Sequence, residues 1–478
     1  MAGTRSRAWK RGPVIFSSYT YVVFLALAWG IHTLLSARFR NVFLIVTSYI
    51  FYATWGVAAV PVLLAITCVT YALGLALAKA KEPERWLPWS VGLLLLPLLY
   101  FKYRVFLWSA VAGAFGEATP ADTLTAWAPL GISFFTFQAI AYLVDVSTGE
   151  PPLRKLSEFF LFKAFWPQLV NGPIIRPGEI ADAIAKRETP DATNVVEAWS
   201  RIARGLFKKA VIADMLGPYV ELVFAPHARL GITDAWAGTI GFALQIYFDF
   251  SAYSDIAIGS ALLFGFRFPA NFARPYLARS IQEFWERWHM SLSRWIRDYV
   301  FSPLAFAARR SRGLSLASLV FAMALCGLWH GPRWTFVAWG LMHGLALVGE
   351  RLGGRTPAKS TPIRNFAGWL STVTLLLFGW VLFRATSLTH AGHMFSSMFA
   401  FRGGLRPQAL RENALLTIAA VATATLVIEM VLPRLSRRSA QHRDAVGLSI
   451  VKGIAYATLI AITIVFESKS TAFVYQQF

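Results

Sequence analysis

The sequence predicts an all-α polytopic membrane protein with about eleven to thirteen membrane helices, some of them broken or re-entrant. Three observations carry this. Of 478 residues, 56% are hydrophobic and 15% charged, where a soluble domain carries about 25% charged residues. Apolar runs long enough to cross a bilayer recur along the whole chain. Those runs do not alternate polar and apolar residues as barrel strands do, so helices must satisfy the backbone in lipid.

The elements follow in order. The run 14–35 is long and no small-residue cleavage site follows it, so it reads as a retained helix, not a removed signal peptide. Spans at 39–57, 59–79 and 88–112 come next, then 125–146, 203–224 and 234–265. The apolar stretch 156–175 is interrupted by Pro167, Gly172 and Pro173 and reads as re-entrant. Runs at 314–329, 334–349, 366–386, 414–433 and 448–466 complete the series. The longest polar stretches are 176–200, 350–365, 402–413 and 434–446. The first suffices for a short amphipathic surface helix and none suffices for a domain. One membrane domain, 1–478, is expected, with N-terminal helices in 1–125, a chemistry-bearing core in 126–350 and C-terminal helices in 351–478.

The formal net charge is +21. Its cations cluster between spans: Arg5, Arg7, Lys10 and Arg11; Lys79, Lys81 and Arg85; Arg309, Arg310 and Arg312; Arg351, Arg355, Lys359 and Arg364; Arg434, Arg437, Arg438 and Arg443. This pattern fits topology control and anionic lipid headgroups, or a phosphate-rich cytosolic ligand. It excludes a nucleic-acid partner, because no soluble domain is present to hold one. Cys68 and Cys326 both lie in apolar runs and read as small buried residues, without disulfide or zinc spacing.

Polar groups inside apolar runs are the informative exceptions. QIYFDFSAYSDIAIG carries Asp249 and Asp255; PLGISFFTFQAIAYLVDV carries Ser133, Thr136, Gln138 and Asp145; FFLFKAFWPQLVNGPIIRP carries Lys163, Gln168, Asn171 and Arg176. Ionisable groups at membrane depth face a bundle interior or a wet cavity. These segments therefore predict helix-to-helix hydrogen bonding or an internal polar cavity.

In FWERWHMSLSRWIRDYVFSPL, residues Trp285, Trp288, His289, Leu292, Trp295, Ile296 and Tyr299 share one face of a helix. Glu286, Arg287, Arg294, Arg297 and Asp298 take the other, with Glu283–Arg287 and Arg294–Asp298 spaced as i,i+4 pairs. This predicts an amphipathic helix at an interface, with His289 turned inward among tryptophans. On such a helix Ser291 points about 200° away from His289 and Ser293 about 40° away. Further on, GLWHGPRW separates two apolar runs of roughly fifteen residues, each short for a span at about 1.5 Å per residue. His330 is expected at that break, where imidazole is suited to proton transfer near neutral pH. His343 reads as a helix-packing histidine.

With these residues in view, PLGISFFTFQAIAYLVDV, FWPQLVNGPIIRP, GLFKKAVIAD, YFDFSAYSDIAIG, NFARPYLARSIQEFWERWHMSLSRWIRDYVFSPL, GLWHGPRWTFVAWGLMHG and FVYQQF resemble successive motifs of the membrane-bound O-acyltransferases, and within them the bacterial alginate O-acetylase branch. They run in family order from about residue 129 to the C-terminus. The segment AFAARRSRG lacks the Gly-Gly, Lys- and Asn-containing loop of the alginate enzymes, and FVYQQF differs from the usual FIYFQF.

The resemblance implies tilted helices around a central membrane-crossing funnel, in a bacterial inner membrane. It implies His330 and His289 as the catalytic pair, with no permanently bound cofactor and no metal. Acetyl-CoA would be the donor. An exported polysaccharide such as alginate would be the acceptor, reached directly or through a periplasmic or membrane-tethered acetyltransferase partner. Trp285, Trp288, Trp329, Asp249, Asp255, Asn171, Arg294 and Arg297 are candidate substrate-binding residues. Lys208 and Lys209 are further candidate contacts for coenzyme phosphates, or else set topology. D-alanyl transfer to teichoic acid from a carrier protein and peptidoglycan O-acetylation stay open. A transporter would share the intramembrane acids and broken helices, but no inverted repeat relates the two halves.

Overall fold

A computed structural model of the protein describes residues 14–115, 127–186, 190–226, 228–353 and 361–401, together with 417, 418, 420 and 421. Among the described residues all regular structure is helical. Four of the described helical stretches are long and apolar enough to cross a membrane: Ala59–Lys79, Pro83–Gly113, Arg312–His330 and Pro362–Arg384. Tyr19–Leu34 and Ile132–Ser147 are shorter and apolar. The protein is an all-α polytopic membrane protein. The expected span at 414–433, apart from 417, 418, 420 and 421, the span at 448–466 and the motif FVYQQF lie outside the described residues.

Exposure separates rim from centre. Val23, Leu27, Trp89, Leu93, Leu96 and Trp108 lie on exposed faces of the N-terminal helices, which is where lipid solvates apolar side chains without penalty. Cys68 also faces outward, unlike the buried Cys326; in lipid an outward face is no less apolar than the core. The 32-residue helix Ile232–Leu263 is buried along nearly its whole length. At 1.5 Å per residue it measures about 48 Å, longer than the hydrocarbon core, so it crosses the centre of the bundle tilted or protruding.

Helix starts follow side-chain capping. The hydroxyls of Ser18, Ser280 and Ser311 accept from the backbone N–H groups of Tyr21, Glu283 and Leu314, and Asp191 accepts from Asn194. Close contacts are built on glycine: a Cβ on Gly259 would meet the Ala198 carbonyl oxygen at 2.6 Å, and one on Gly205 the Ala252 oxygen at 2.7 Å. Helix Ala192–Phe207 thereby lies directly on the central helix.

The interrupted segment 156–175 behaves as expected of a re-entrant element. Leu156–Ala164 and Trp166–Leu169 are short helices, and the irregular chain after them is buried. Its polar groups find partners inside the protein. Trp166 N–H donates to Ser48 Oγ (3.2 Å), Asn171 N–H to Tyr253 OH (3.3 Å), and Lys163 Nζ to the Phe135 carbonyl (2.5 Å). Buried protein, not lipid, surrounds the irregular backbone, as its unpaired groups demand.

Two expectations change. The runs around His330 are not half-length: Arg312–His330 and Trp334–Leu352 have 19 residues each, about 28 Å of helix. They extend the apolar runs through Arg312, Gly313 and the 350–352 turn, and form an antiparallel hairpin. Gly327 lies on the Phe336 carbonyl, Gly340 on that of Met323, and Gly344 on Val320. His330 therefore ends a full helix and does not interrupt one. A Cβ on Gly340 would stand 2.2 Å from the Met323 oxygen, so Gly340→Leu should force the hairpin apart at a cost of about 1–3 kcal/mol or more. Thermal unfolding of the solubilised protein checks this; an unchanged midpoint would contradict it.

The second change is in 284–304. Instead of one amphipathic helix, the chain makes Ile281–Trp285, then Met290–Ile296, a π-helical turn Arg297–Phe301, and Ser302–Ala307. His289 breaks the helix with φ 41°.

Candidate active site

His289 takes a left-handed backbone, which costs a non-glycine residue about 1–3 kcal/mol unless its surroundings impose it. Here Asn271 imposes it. The NFARPY segment runs against the break: Met290 N–H donates to the Asn271 carbonyl (3.0 Å) and Ala273 N–H to the Arg287 carbonyl (2.9 Å). The Asn271 side chain, fully inside the protein, completes the clamp. Its Oδ1 accepts from Ser291 N–H (3.2 Å) and Ser291 Oγ–H (2.9 Å), while its Nδ2 donates to Ser254 Oγ (3.2 Å).

These contacts fix a proton. A backbone N–H can only donate, so the Asn271 atom facing Ser291 is the oxygen. The same oxygen lies 3.3 Å from His289 Nδ1. Nδ1 must therefore carry the hydrogen, which leaves Nε2 as the basic nitrogen of the neutral ring. Ser291 Oγ also lies 3.5 Å from Nδ1. The broken helix overturns the expected opposition of Ser291 and His289, because the 100° per residue step does not hold across a left-handed residue. Ser293 instead donates to the Trp288 carbonyl (3.2 Å).

Removing this clamp should be costly. Outer partners that hold a functional imidazole typically contribute about 10–100-fold to activity. Asn271→Ala is expected to lose activity in that range, and Asn271→Asp, which keeps the acceptor, to lose less. Turnover of purified protein with folding checked in parallel measures this; equal losses in both variants would contradict a role through His289.

His330 is the last residue of its helix, and two side chains hold that end. Tyr103 OH donates to the Leu328 carbonyl (2.8 Å) and Lys102 Nζ to that of Trp329 (2.6 Å). Both belong to a π-helical turn, Leu99–Tyr103, a distortion that often marks function. Carbonyls that a helix C-terminus leaves open are thus satisfied. The His330 ring is buried among Trp329, Trp339 and Phe383, with centroids at 4.9, 5.1 and 5.0 Å. Trp329 also approaches His289 (6.0 Å), so one indole lies against both imidazoles. His343 is buried against Trp339 and Trp285 (4.7 and 5.4 Å).

Two cavities approach this cluster. One, of about 640 Å³, is lined by Trp285, Met290, Ser293, Arg294, Arg297, Met323, Cys326, Glu350 and Arg351 among others. Its floor reaches Cys326, one helical turn before His330, or about 6 Å along the axis. The other, of about 310 Å³, is lined by His330, Trp329, Lys102, Ser133, Asn171 and neighbouring apolar groups. The hairpin puts them at opposite ends: Arg351 lies at the same end as Arg309, Arg310 and Arg312, and Pro332 at the other.

The remaining candidates distribute as follows. Trp285 lines the large cavity and Trp329 and Asn171 the small one. Trp288 lines neither; it packs between Phe284 (5.5 Å) and Trp380 (5.0 Å) as wall. Asp249 and Asp255 are not brought to the histidines. Asp249 takes Lys209 Nζ (2.8 Å), which also meets Asp214 (2.8 Å), and Asp255 takes Lys208 (2.7 Å). These lysines sit on another π-helical turn, Lys208–Ala213, and each pairs with a carboxylate of the central helix. Glu283–Arg287 pairs as spaced (2.5 Å), but Arg294 turns to Glu179 (3.7 Å), and Asp298 to Arg297 (2.7 Å) and Arg176. Burial would raise the Asp298 carboxyl, but the hydrogen bonds from Arg297 and Arg176 outweigh it and hold it below the usual carboxylate range. Asn271, Lys102 and Tyr103 were not legible as site residues from sequence.

Comparison with known proteins bears on what this arrangement does. The family model of MBOAT, the membrane-bound O-acyltransferase family, matches residues 153–390, which include His289, His330 and Asn271. The chain is 39% identical over 398 residues to the probable alginate O-acetylase AlgI of Azotobacter vinelandii, covering 81% of this chain and 78% of that one. The chain belongs to the membrane-bound O-acyltransferase family. As a member of that family it is an acyltransferase of the membrane. It is also 33% identical over 396 residues to the peptidoglycan O-acetyltransferase of Helicobacter pylori, covering 76% of this chain and 75% of that one. Similarity to the teichoic acid D-alanyltransferase of Streptococcus thermophilus is narrower: 32% over 236 residues, 46% of this chain and 56% of that one. All three names denote acyl transfer.

Proposed function

We propose that this acyltransferase moves acetyl from acetyl-CoA in the cytosol to a hydroxyl of an exported polysaccharide on the far side of a bacterial inner membrane, directly or through a periplasmic partner. The observation that carries this is the meeting of two imidazoles at one indole, between a cavity at the arginine-bearing end of the hairpin and a cavity at the opposite end. With the arginine-bearing end of the hairpin taken as cytosolic, the large cavity would open inward and the small one outward. The longer coverage and higher identity of the O-acetylase relatives favour acetyl over D-alanyl.

The large cavity suits a thioester donor. Its apolar floor of Trp285, Met323 and Cys326 excludes water, which would otherwise hydrolyse the thioester. Arg294, Arg297 and Arg351 at its wall suit coenzyme phosphates. His330 acts as general base toward a hydroxyl in the small cavity. The hydroxyl oxygen attacks the thioester carbonyl carbon, and its proton passes to His330. The C–O bond forms as the C–S bond breaks, and the proton then returns to the thiolate. His289, its Nε2 carrying no proton in this tautomer, orients the hydroxyl through that nitrogen. Its protonated form would also stabilise the developing oxyanion.

The test is donor use by purified protein in nanodiscs. Acetyl-CoA consumption dependent on His330 is expected. Transfer only from a carrier-protein thioester would overturn the donor assignment and favour the D-alanyl reading.

A further inference from the structure

Away from the histidines, the turn between Tyr19–Leu34 and Ala37–Ala53 closes a cavity of about 210 Å³ against Ile184, Val195 and the end of the central helix at Leu263. Arg40 brings the charge to it. The Arg40 Nε–H donates to the Leu35 carbonyl (3.1 Å). That bond fixes the guanidinium across the turn and leaves the other N–H groups of its fork for a second partner. Arg40 forms no ion pair among the described residues, and no residue lining the cavity is acidic. A guanidinium is not deprotonated inside a protein, so the charge stands, and charges at the level of the membrane are kept with a partner. His32, 6% exposed and edge-on to the Phe264 ring (5.1 Å), and Asn41 place further hydrogen-bonding groups in the same wall.

The surroundings of Arg40 narrow the choice of anion. Near the end of Ala37–Ala53, Tyr52 OH donates to the carbonyl of Leu130 (2.8 Å), a residue of the small cavity. Arg40 lies about 18 Å back along that helix, toward the arginine-bearing end of the hairpin. Trp29 stands half-buried in the cavity wall, and Ile31, Leu34, Phe39 and Val196, each next to a lining residue in the chain, are exposed. A cation and an indole beside exposed apolar side chains mark the headgroup level of a bilayer. Ligand sites usually occupy about 300–1,000 Å³, so this smaller cavity suits a phosphate headgroup and not a coenzyme.

We propose that this cavity binds the phosphate of an anionic phospholipid from the leaflet at the arginine-bearing end, with Arg40 as its counter-ion and the acyl chains along the exposed apolar faces beside it. The bound lipid joins the first helical hairpin to Pro177–Lys186, to Ala192–Phe207 and to the end of the central helix, all of which line the cavity. The assignment is independent of what the histidines transfer.

The test titrates full-length protein in detergent with phosphatidylglycerol and, separately, with phosphatidylcholine, and reads bound lipid by native mass spectrometry. Wild type is expected to hold a first phosphatidylglycerol at least about fivefold more tightly than phosphatidylcholine, the usual effect of one cation on an anionic headgroup. Arg40→Gln should abolish that preference. Ala37→Phe fills the cavity while leaving Arg40 and its bond to Leu35 in place, and should abolish the preference too. Arg38→Gln should retain it, because the Arg38 guanidinium lies over the Phe39 ring (4.6 Å) and not in the cavity wall. Equal affinity of wild type for the two lipids, or an undiminished preference in Arg40→Gln or Ala37→Phe, overturns the site. So does an equal loss in Arg38→Gln, which would make the preference one of overall surface charge. Displacement of phosphatidylglycerol by glycerol 3-phosphate or inorganic phosphate at equal concentration would overturn the lipid as occupant in favour of a soluble phosphate.

Discussion

His330→Ala is expected to lower the rate of acyl transfer by purified protein by about 10²–10⁴-fold, the usual contribution of a positioned general base. Donor affinity should change little, because the large cavity stops one turn short of the imidazole. The loss would then fall on kcat and kcat/KM alike, which is the mark of an interaction made in the transition state. Truncation also removes ring contacts with Trp339 and Phe383, so His330→Gln, closer in volume, belongs beside it. A near-wild-type rate in either variant would remove His330 as base.

The second large effect concerns stability. Lys209 and Asp249 are each 1% exposed, and Lys209 joins Asp249 on the central helix to Asp214 on the next turn of its own segment. Lys209→Met would remove the cation that these two carboxylates share. Breaking a buried pair by removing one partner typically costs about 3–5 kcal/mol. Lower yield of folded protein and a markedly lower unfolding temperature are expected. Asp249→Asn combined with Lys209→Met should recover part of the loss, since the buried carboxylate that Lys209 neutralised is then uncharged. If Lys209→Met unfolds like wild type, the cluster is not what joins these helices.

Much of this architecture could be read from residue order. Apolar run length gave the helix 59–79 to the residue and 362–384 to within four residues, because lipid-facing helices obey length and hydropathy alone. Proline and glycine in FWPQLVNGPIIRP announced irregular buried backbone, and Asn171 lies there. The histidines were legible as polar groups among apolar and aromatic residues, His330 next to the Gly331–Pro332 stop, but not the helix break at His289. What could not be read was tertiary. The face assignment for 284–304 assumed a constant helical step, and Asn271, eighteen residues upstream of His289, breaks it. Asp249 and Asp255 looked like cavity residues because their partners, Lys208 and Lys209, lie some forty residues earlier. Lys102 looked like one more flanking cation, since nothing local tells a lysine that snorkels outward from one that caps a distant helix.

The central claim is that His289 and His330 form one acyl-transfer site. The most direct measurement is the O-acetyl content of surface polysaccharide in cells lacking the chromosomal copy, complemented with wild type, His330→Ala or His289→Ala at matched membrane levels. Restoration by wild type and loss with both variants is the result expected here. Full acetylation with His330→Ala would contradict the claim and make that histidine a packing residue.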